Sequence, residues 1–123
     1  GDVSVVASSF MVKLALEAAE RLDRSGISVE VVDLRTIKPF DLETVLTSVE
    51  KTGRLLVADG GWRSFGVSAE IIAAVCERMG DRLKANPVRV TLPDIPAPAC
   101  RTLEKAYYPN AEALIDRIRA FTL

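Results

Sequence analysis

Four short runs rich in β-branched and other apolar residues, Val3 to Ser8, Ile27 to Leu34, Arg54 to Asp59 and Val88 to Leu92, are separated by stretches whose apolar residues recur at helical spacing. Strand alternating with helix predicts a parallel sheet, because parallel neighbours need a crossover connection and a helix supplies it. The first run, VSVVAS, is nearly continuous in its apolar character, as a strand covered on both faces must be. Right-handed crossovers then place helices on both sides. The expected fold is a three-layer α/β/α, doubly wound, mainly parallel sheet.

The helical stretches carry their own boundaries. Met11, Leu14, Ala15, Ala18 and Leu22 share one face, Lys13, Glu17, Glu20 and Arg21 fall largely on others, and Gly26 stands where a C-terminal cap belongs. After a break at Pro39, Asp41 is placed to cap a short helix carrying Leu42, Val45, Leu46 and Val49, ending near Gly53. Ile71, Ile72, Val75, Cys76 and Met79 mark a third helix closed by Gly80, and Cys76 on that stripe reads as a small core residue. A proline-rich passage, PDIPAPACRTLEKAYYP, follows the fourth strand; Tyr107 and Tyr108 are expected to anchor it, with hydroxyls reaching solvent or backbone. Asn110 caps a last helix whose buried stripe is Leu114, Ile115, Ile118 and Phe121.

With 123 residues the chain fits one domain, residues 1–123, large enough for a core without disulfides or metals. Its 16 basic and 17 acidic residues leave a net charge of −1, so no basic field invites nucleic acid. No apolar run approaches the roughly 18 residues of a membrane span. Cys76 and Cys100 stand in a chain with no signal-peptide pattern, which points to reduced thiols and a cytoplasmic setting. The start at Gly1 without methionine, running through Asp2 directly into a strand, is expected of a piece of a longer chain. Histidine is absent, which excludes Ser-His-Asp and Cys-His nucleophilic sites and the usual zinc sets.

In open sheets of this type, sites gather beyond the carboxyl ends of the strands. The segments there are SSFM, RTIKPFD, GGWRSFG and PDIPAPA. The stretch GGWRSFGVSAE raises a question, since it sets the chain's single tryptophan on a glycine-rich loop. One reading is phosphate binding at the following helix N-terminus, although the spacing is neither a Walker sequence nor G-x-G-x-x-G. Another is a tight turn with Trp62 and Phe65 packed on neighbouring loops. A third joins tryptophan and arginine, residue types enriched at interface centres, and has another subunit cover the loop.

The segment VEVVDLRTIKPFDLETVLTSVEKTGRLLVADGGWRSFGVSAEI, with MVKLALEAAERL before it and DIPAPACRTLEKAYYPN after it, resembles the C-terminal domain of the transketolase-like thiamine diphosphate enzymes. Within that group the likeness is greatest to the beta subunit of the 2-oxo acid dehydrogenase decarboxylase component, of the pyruvate and branched-chain type. The chain departs from that pattern at Ala99-Cys100, where a tyrosine often follows the last proline. The resemblance implies a strand order of 2-1-3-4, with a further edge strand upstream of Gly1. It also implies that thiamine diphosphate and magnesium are bound by other domains of the intact enzyme. This chain carries neither the Gly-Asp-Gly diphosphate motif nor the pyrimidine-side glutamate and histidine, so no catalytic, cofactor or metal residues are assigned here.

What the resemblance assigns instead is assembly. Trp62, Arg63 and Phe65 are the expected subunit-contact residues, beside the alternative of packing within the domain. The implied partners are the N-terminal domain of the same chain, an alpha subunit, a second beta subunit and the acyltransferase core. Asp41, Glu43 and the chain end at Leu123 are the expected dock for the basic subunit-binding domain of that core. The acids equally serve the helix dipole without any partner. Arg35 is expected to pair with Asp33 or Asp59, a link worth little if exposed. Transketolase, deoxyxylulose-phosphate synthase and a free-standing phosphate- or nucleotide-binding module are the rival readings.

Overall fold

The computed structural model describes residues 1–122. Strands β1 (Val3–Ala7), β2 (Val29–Asp33), β3 (Leu55–Trp62) and β4 (Val88–Leu92) form a sheet ordered β2-β1-β3-β4, and all three pairings are parallel. Helices α1 (Phe10–Asp23), α2 (Leu42–Thr52), α3 (Val67–Met79), α4 (Arg101–Tyr107) and α5 (Ala111–Thr122) connect and cover it. The expected fold class and strand order are both found. The strand order reverses direction at β1, so the loops after β1 and β3 meet at the carboxyl edge.

Two cores form because strand side chains alternate between faces. Val3, Val5 and Ala7 of β1, with Leu56 and Ala58 of β3, pack under Met11, Ala15, Ala18 and Leu22 of α1 and Leu114, Ile115 and Ile118 of α5. Val6, Leu55 and Val57 face the opposite way, under Val45 and Val49 of α2 and Ile71, Val75 and Met79 of α3. Truncating a fully buried member such as Leu22 or Leu56 to alanine would cost about 2–5 kcal/mol. One polar cluster lies within this packing: the Ser4 hydroxyl meets those of Ser48 and Thr52, each at 2.7 Å, which joins β1 to α2. Each hydroxyl there has a partner, so their burial carries no orphan penalty.

The caps follow the sequence closely. Gly26, at φ 85°, ends α1 in a left-handed turn: its amide bonds the Asp23 carbonyl, and the Ile27 amide bonds that of Leu22. Asp41 accepts from the Thr44 amide at 3.1 Å, and Asn110 accepts from the Ala113 amide at 3.0 Å. Three boundaries differ from expectation. Strand β2 begins only at Val29, β3 continues through both glycines to Trp62, and a short helix, α4, forms inside the proline-rich passage.

Cys76 is a correction: it is exposed, as is Cys100. The buried face of α3 is Ser68, Ile71, Val75 and Met79, and Cys76 lies one residue, about 100°, beyond Val75. An apolar residue beside a stripe is not on it.

Candidate functional site

At the carboxyl edge, β3 outruns its neighbours. Ala58 pairs with Val90 and Trp62 with Leu92, so three β3 residues lie between partners where β4 has one, a bulge that turns the strand end outward. Gly60 fits here because the Phe10 ring of α1 lies over it; an added Cβ would stand 2.8 Å from Phe10 Cε1. Backbone pairing continues one residue further, the Arg63 amide donating to the Leu92 carbonyl at 3.1 Å.

Asp59, buried at the end of the core strand, organises the turn into α3. Its Oδ1 accepts from the Gly61 amide and its Oδ2 from the Ser68 amide, each at 2.9 Å. The second bond places a carboxylate at the helix N-terminus, where an anion is most favoured. The seat that a phosphate-binding reading requires is therefore occupied by the chain's own carboxylate. Gly66 packs into the same turn so closely that a Cβ would lie 2.3 Å from the Trp62 carbonyl oxygen and 3.0 Å from Asp59 Oδ2.

Asp94, from the segment after β4, closes the loop from the other side. It accepts from the Ser64 amide at 2.9 Å and from the Ser64 hydroxyl. Those two bonds, the hydroxyl's first, hold its carboxyl below the ordinary 3.8. Arg63 and Arg89 nearby add to the effect, and Arg89 Nη1 also donates to the Arg63 carbonyl at 2.7 Å.

The loop so held presents aromatics to solvent. Trp62 is 54% exposed, although its indole N–H is bonded to the Tyr107 hydroxyl at 2.9 Å. That hydroxyl donates in turn to the Ile95 carbonyl at 2.8 Å, the backbone anchor expected of this tyrosine. The Phe65 side chain is fully exposed at φ 59°. Ser9, at φ 54°, is the other non-glycine residue with positive φ among the described residues, and it also lies at this edge. A bulky residue held in the left-handed region with no packing gain marks a place shaped for something besides stability.

Beside Phe65 runs an open groove of about 670 Å³ lined by Ile37, Phe40, Leu42, Phe65, Val67 and Glu70. With Phe10, Ile37 and Ile95 also exposed, this edge carries five solvent-facing large apolar side chains. Clustered exposure of this kind marks interaction surfaces.

The sequence-predicted residues fall into two groups. Trp62, Arg63 and Phe65 are brought together on the loop and exposed. Asp41 and Glu43 lie at the start of α2, where Asp41 caps the helix and bonds the Thr44 hydroxyl at 2.6 Å, while Glu43 pairs with Arg78 of α3 at 3.4 Å. Leu123, the third residue of the expected dock, lies outside the described residues. Arg35 pairs with Asp33 at 3.8 Å, both exposed. Sequence reasoning missed Asp94 as a loop partner and missed the helix-capping role of Asp59. Asp59 carries a readable signal, a carboxylate at the end of an apolar strand just before a helix; Asp94 carries none, since its partner is 30 residues away.

Among the described residues no group of three or more histidine, cysteine, aspartate or glutamate side chains is placed to hold a metal ion, and no helix is long and apolar enough to cross a membrane. Residues 1–114 match the family described as transketolase, C-terminal domain. The chain is 43% identical over 120 residues to the pyruvate dehydrogenase E1 component subunit beta of Rickettsia bellii, covering 97% of this chain and 37% of that protein. It is 46% identical over 118 residues to the acetoin:2,6-dichlorophenolindophenol oxidoreductase subunit beta of Cupriavidus necator, covering 96% and 35%. Among solved structures it is similar to a split gene transketolase, an inactive beta4 tetramer, with a TM-score of 0.78 at 29% identity over 97% of this chain and 38% of that one. The chain spans little more than a third of the length of the curated relatives it matches.

Proposed function

Because the chain belongs to the transketolase C-terminal domain family, we propose that it serves as the C-terminal, subunit-contact domain of a beta subunit in a thiamine diphosphate-dependent 2-oxo acid dehydrogenase. The observation that carries this reading is the 43% identity to an E1 beta subunit across 97% of the chain. In this reading residues 1–123 are one domain of a longer cytoplasmic chain. The intact enzyme decarboxylates a 2-oxo acid and passes the acyl group to a lipoyl arm. A relative at 46% identity named for acetoin supports a second substrate for the same architecture; the choice between them rests with domains other than this one.

The residues at the carboxyl edge do not fit a magnesium diphosphate. Such a seat needs several oxygen donors brought together, and among the described residues no three ligating side chains converge. Thiamine diphosphate and magnesium accordingly belong, in this reading, to the N-terminal domain and the alpha subunit. The contribution of this domain is to position subunits. Trp62, Arg63 and Phe65 pack against a second beta subunit or the alpha subunit, which supplies the burial that their exposure in the single chain lacks. Asp41, Glu43 and Leu123 receive the basic subunit-binding domain of the acyltransferase core, a role supported by the exposure of both carboxylates.

The test is the rest of the gene and its product. The reading predicts an upstream domain without a Gly-Asp-Gly diphosphate motif, that motif on a separate alpha chain, and carbon dioxide release from a 2-oxo acid when both chains are combined. A diphosphate motif on the same chain would favour a transketolase or deoxyxylulose-phosphate synthase.

A further inference from the structure

The second feature with functional content lies at the side of the sheet, away from the apolar edge. Strand β4 is an outermost strand, and no described residue hydrogen-bonds the backbone on its outer side. Arg89 to Leu92 of this strand line a cleft of about 420 Å³ together with Tyr107 of α4 and Ala113 of α5. Three arginines, Arg63, Arg89 and Arg117, line it, and no carboxylate does.

Elsewhere many of the arginines are matched by acids. Arg21, Arg24, Arg35, Arg78 and Arg82 each stand in an ion pair with an acid. Arg63, Arg89 and Arg117 stand in none among the described residues, nor do Arg54, Arg101 and Arg119, and of these six the first three line one cleft. Asp94, which accepts from Ser64, lies near Arg63 and Arg89 and offsets part of their charge, whereas Arg117 is not among the charges acting on it.

The arginines are also divided between the two faces of the edge. Val90 points into the core beneath α1 and α5, so Arg89, one residue earlier on β4, points to the opposite face, where it bonds the Arg63 carbonyl. Arg117 comes from α5, which covers the Val90 face. A strand added to this edge would send successive side chains alternately to the two faces. Adjacent acidic residues on such a strand would meet Arg89 and Arg63 on one side and Arg117 on the other.

We propose that the outer edge of β4 is a docking site for an extended acidic segment of another polypeptide, which joins the sheet as an added strand with carboxylates on Arg89 and Arg117. The mode is strand addition, in which backbone bonds give affinity and alternate side chains give specificity. Arginine suits the task because its fork pairs with carboxylates bidentately. A second copy of this chain is a poor occupant, since edge-to-edge pairing would bring two arginine-bearing edges together with no acidic residue on either strand. One charged residue is enough to protect an edge from aggregation; three converging from separate elements make a receptor for the opposite charge. Arg63 also belongs to the aromatic loop, but Arg89 and Arg117, which take the carboxylates, do not.

The experiment is fluorescence anisotropy of this chain with a fluorescein-labelled eight-residue peptide bearing two adjacent central glutamates flanked by valine and threonine. The glutamate peptide is expected to bind at least about ten-fold more tightly than a version with lysines in place of the glutamates, and than a version N-methylated at alternate amides. The double variant Arg89→Gln/Arg117→Gln should lose a similar factor. No binding up to about 1 mM, or equal binding of the lysine peptide, would overturn the proposal. So would equal binding of the N-methylated peptide, or its displacement by equimolar glutarate, either of which would make this a small-anion site. The peptide comparisons use the unaltered chain, so a misfolded variant cannot decide the outcome.

Discussion

The indole N–H of Trp62 donates to the Tyr107 hydroxyl at 2.9 Å, so the end of β3 and the end of α4 are held by one side-chain bond. Because the same hydroxyl donates to the Ile95 carbonyl, Tyr107→Phe breaks both links at once. Water reaches the half-exposed indole and replaces part of the loss, so the expected cost is about 1 kcal/mol. Urea unfolding reads it. Trp62 is the chain's one tryptophan, so its emission should also shift to the red, reporting the loosened ring directly.

Asp59→Ala leaves the Gly61 and Ser68 amides without their acceptor and removes the charge at the start of α3. The group is buried, and the expected loss is about 2–3 kcal/mol. Asp59→Asn keeps an acceptor oxygen and should lose clearly less. Because asparagine turns a donor NH2 toward one of the two amides, equal losses for the two variants in denaturant titrations would show that a single retained acceptor is not enough.

Two glycines should respond with opposite sign. At Gly66 the new methyl meets backbone, the Trp62 carbonyl at 2.3 Å, and cannot be accommodated by a side-chain shift; Gly66→Ala should cost more than about 2 kcal/mol. Gly80 has helical dihedrals, φ −57° and ψ −34°, and its nearest neighbour would be Cys76 Cβ at 3.7 Å. Gly80→Ala should therefore stabilise by about 0.4–1 kcal/mol, mainly through the unfolded chain. Thermal melts of the two variants side by side check both signs.

The acid limb of the stability curve should depend on Asp41. Hydrogen bonds from the Thr44 hydroxyl and then the Thr44 amide hold its carboxyl below 3.8 in the folded chain. A group whose pKa is depressed by folding stabilises the fold above its unfolded value, and that contribution is lost as pH falls through the folded value. Asp41→Asn preserves a good cap but does not titrate. Its melting temperature should match the parent near neutral pH and fall less steeply below about pH 4.

Most of the architecture was legible because it rests on local signals. Continuous β-branched runs gave the strands, and Gly26, Asp41, Gly53 and Asn110 marked helix ends by chemistry that acts within a turn. The extension of β3 was not legible: glycines read as a break, and Gly60 stays in the strand because Phe10, fifty residues earlier, covers it. Helix α4 was hidden for a related reason. It buries only Tyr107 and leaves Leu103 exposed, so it has no apolar stripe to read. At the site, Trp62 and Phe65 announced themselves by residue type and glycine context, whereas the Ser64–Asp94 closure depends on how two loops meet.

Phe65 gives the most direct test of the subunit-contact account. At φ 59° its backbone suits asparagine better than phenylalanine, and its side chain packs on nothing in the single chain. Phe65→Asn should therefore fold at least as stably as the parent while losing an interface anchor, a trade expected where a residue serves a partner. The measurement is mass by light scattering across a concentration series, parent beside Phe65→Asn. The account predicts that the parent's mass rises above that of one chain with concentration and that the variant's does not. A variant that associates as well as the parent would contradict it, and a parent that stays at the single-chain mass throughout would remove the second beta subunit as the partner of this loop.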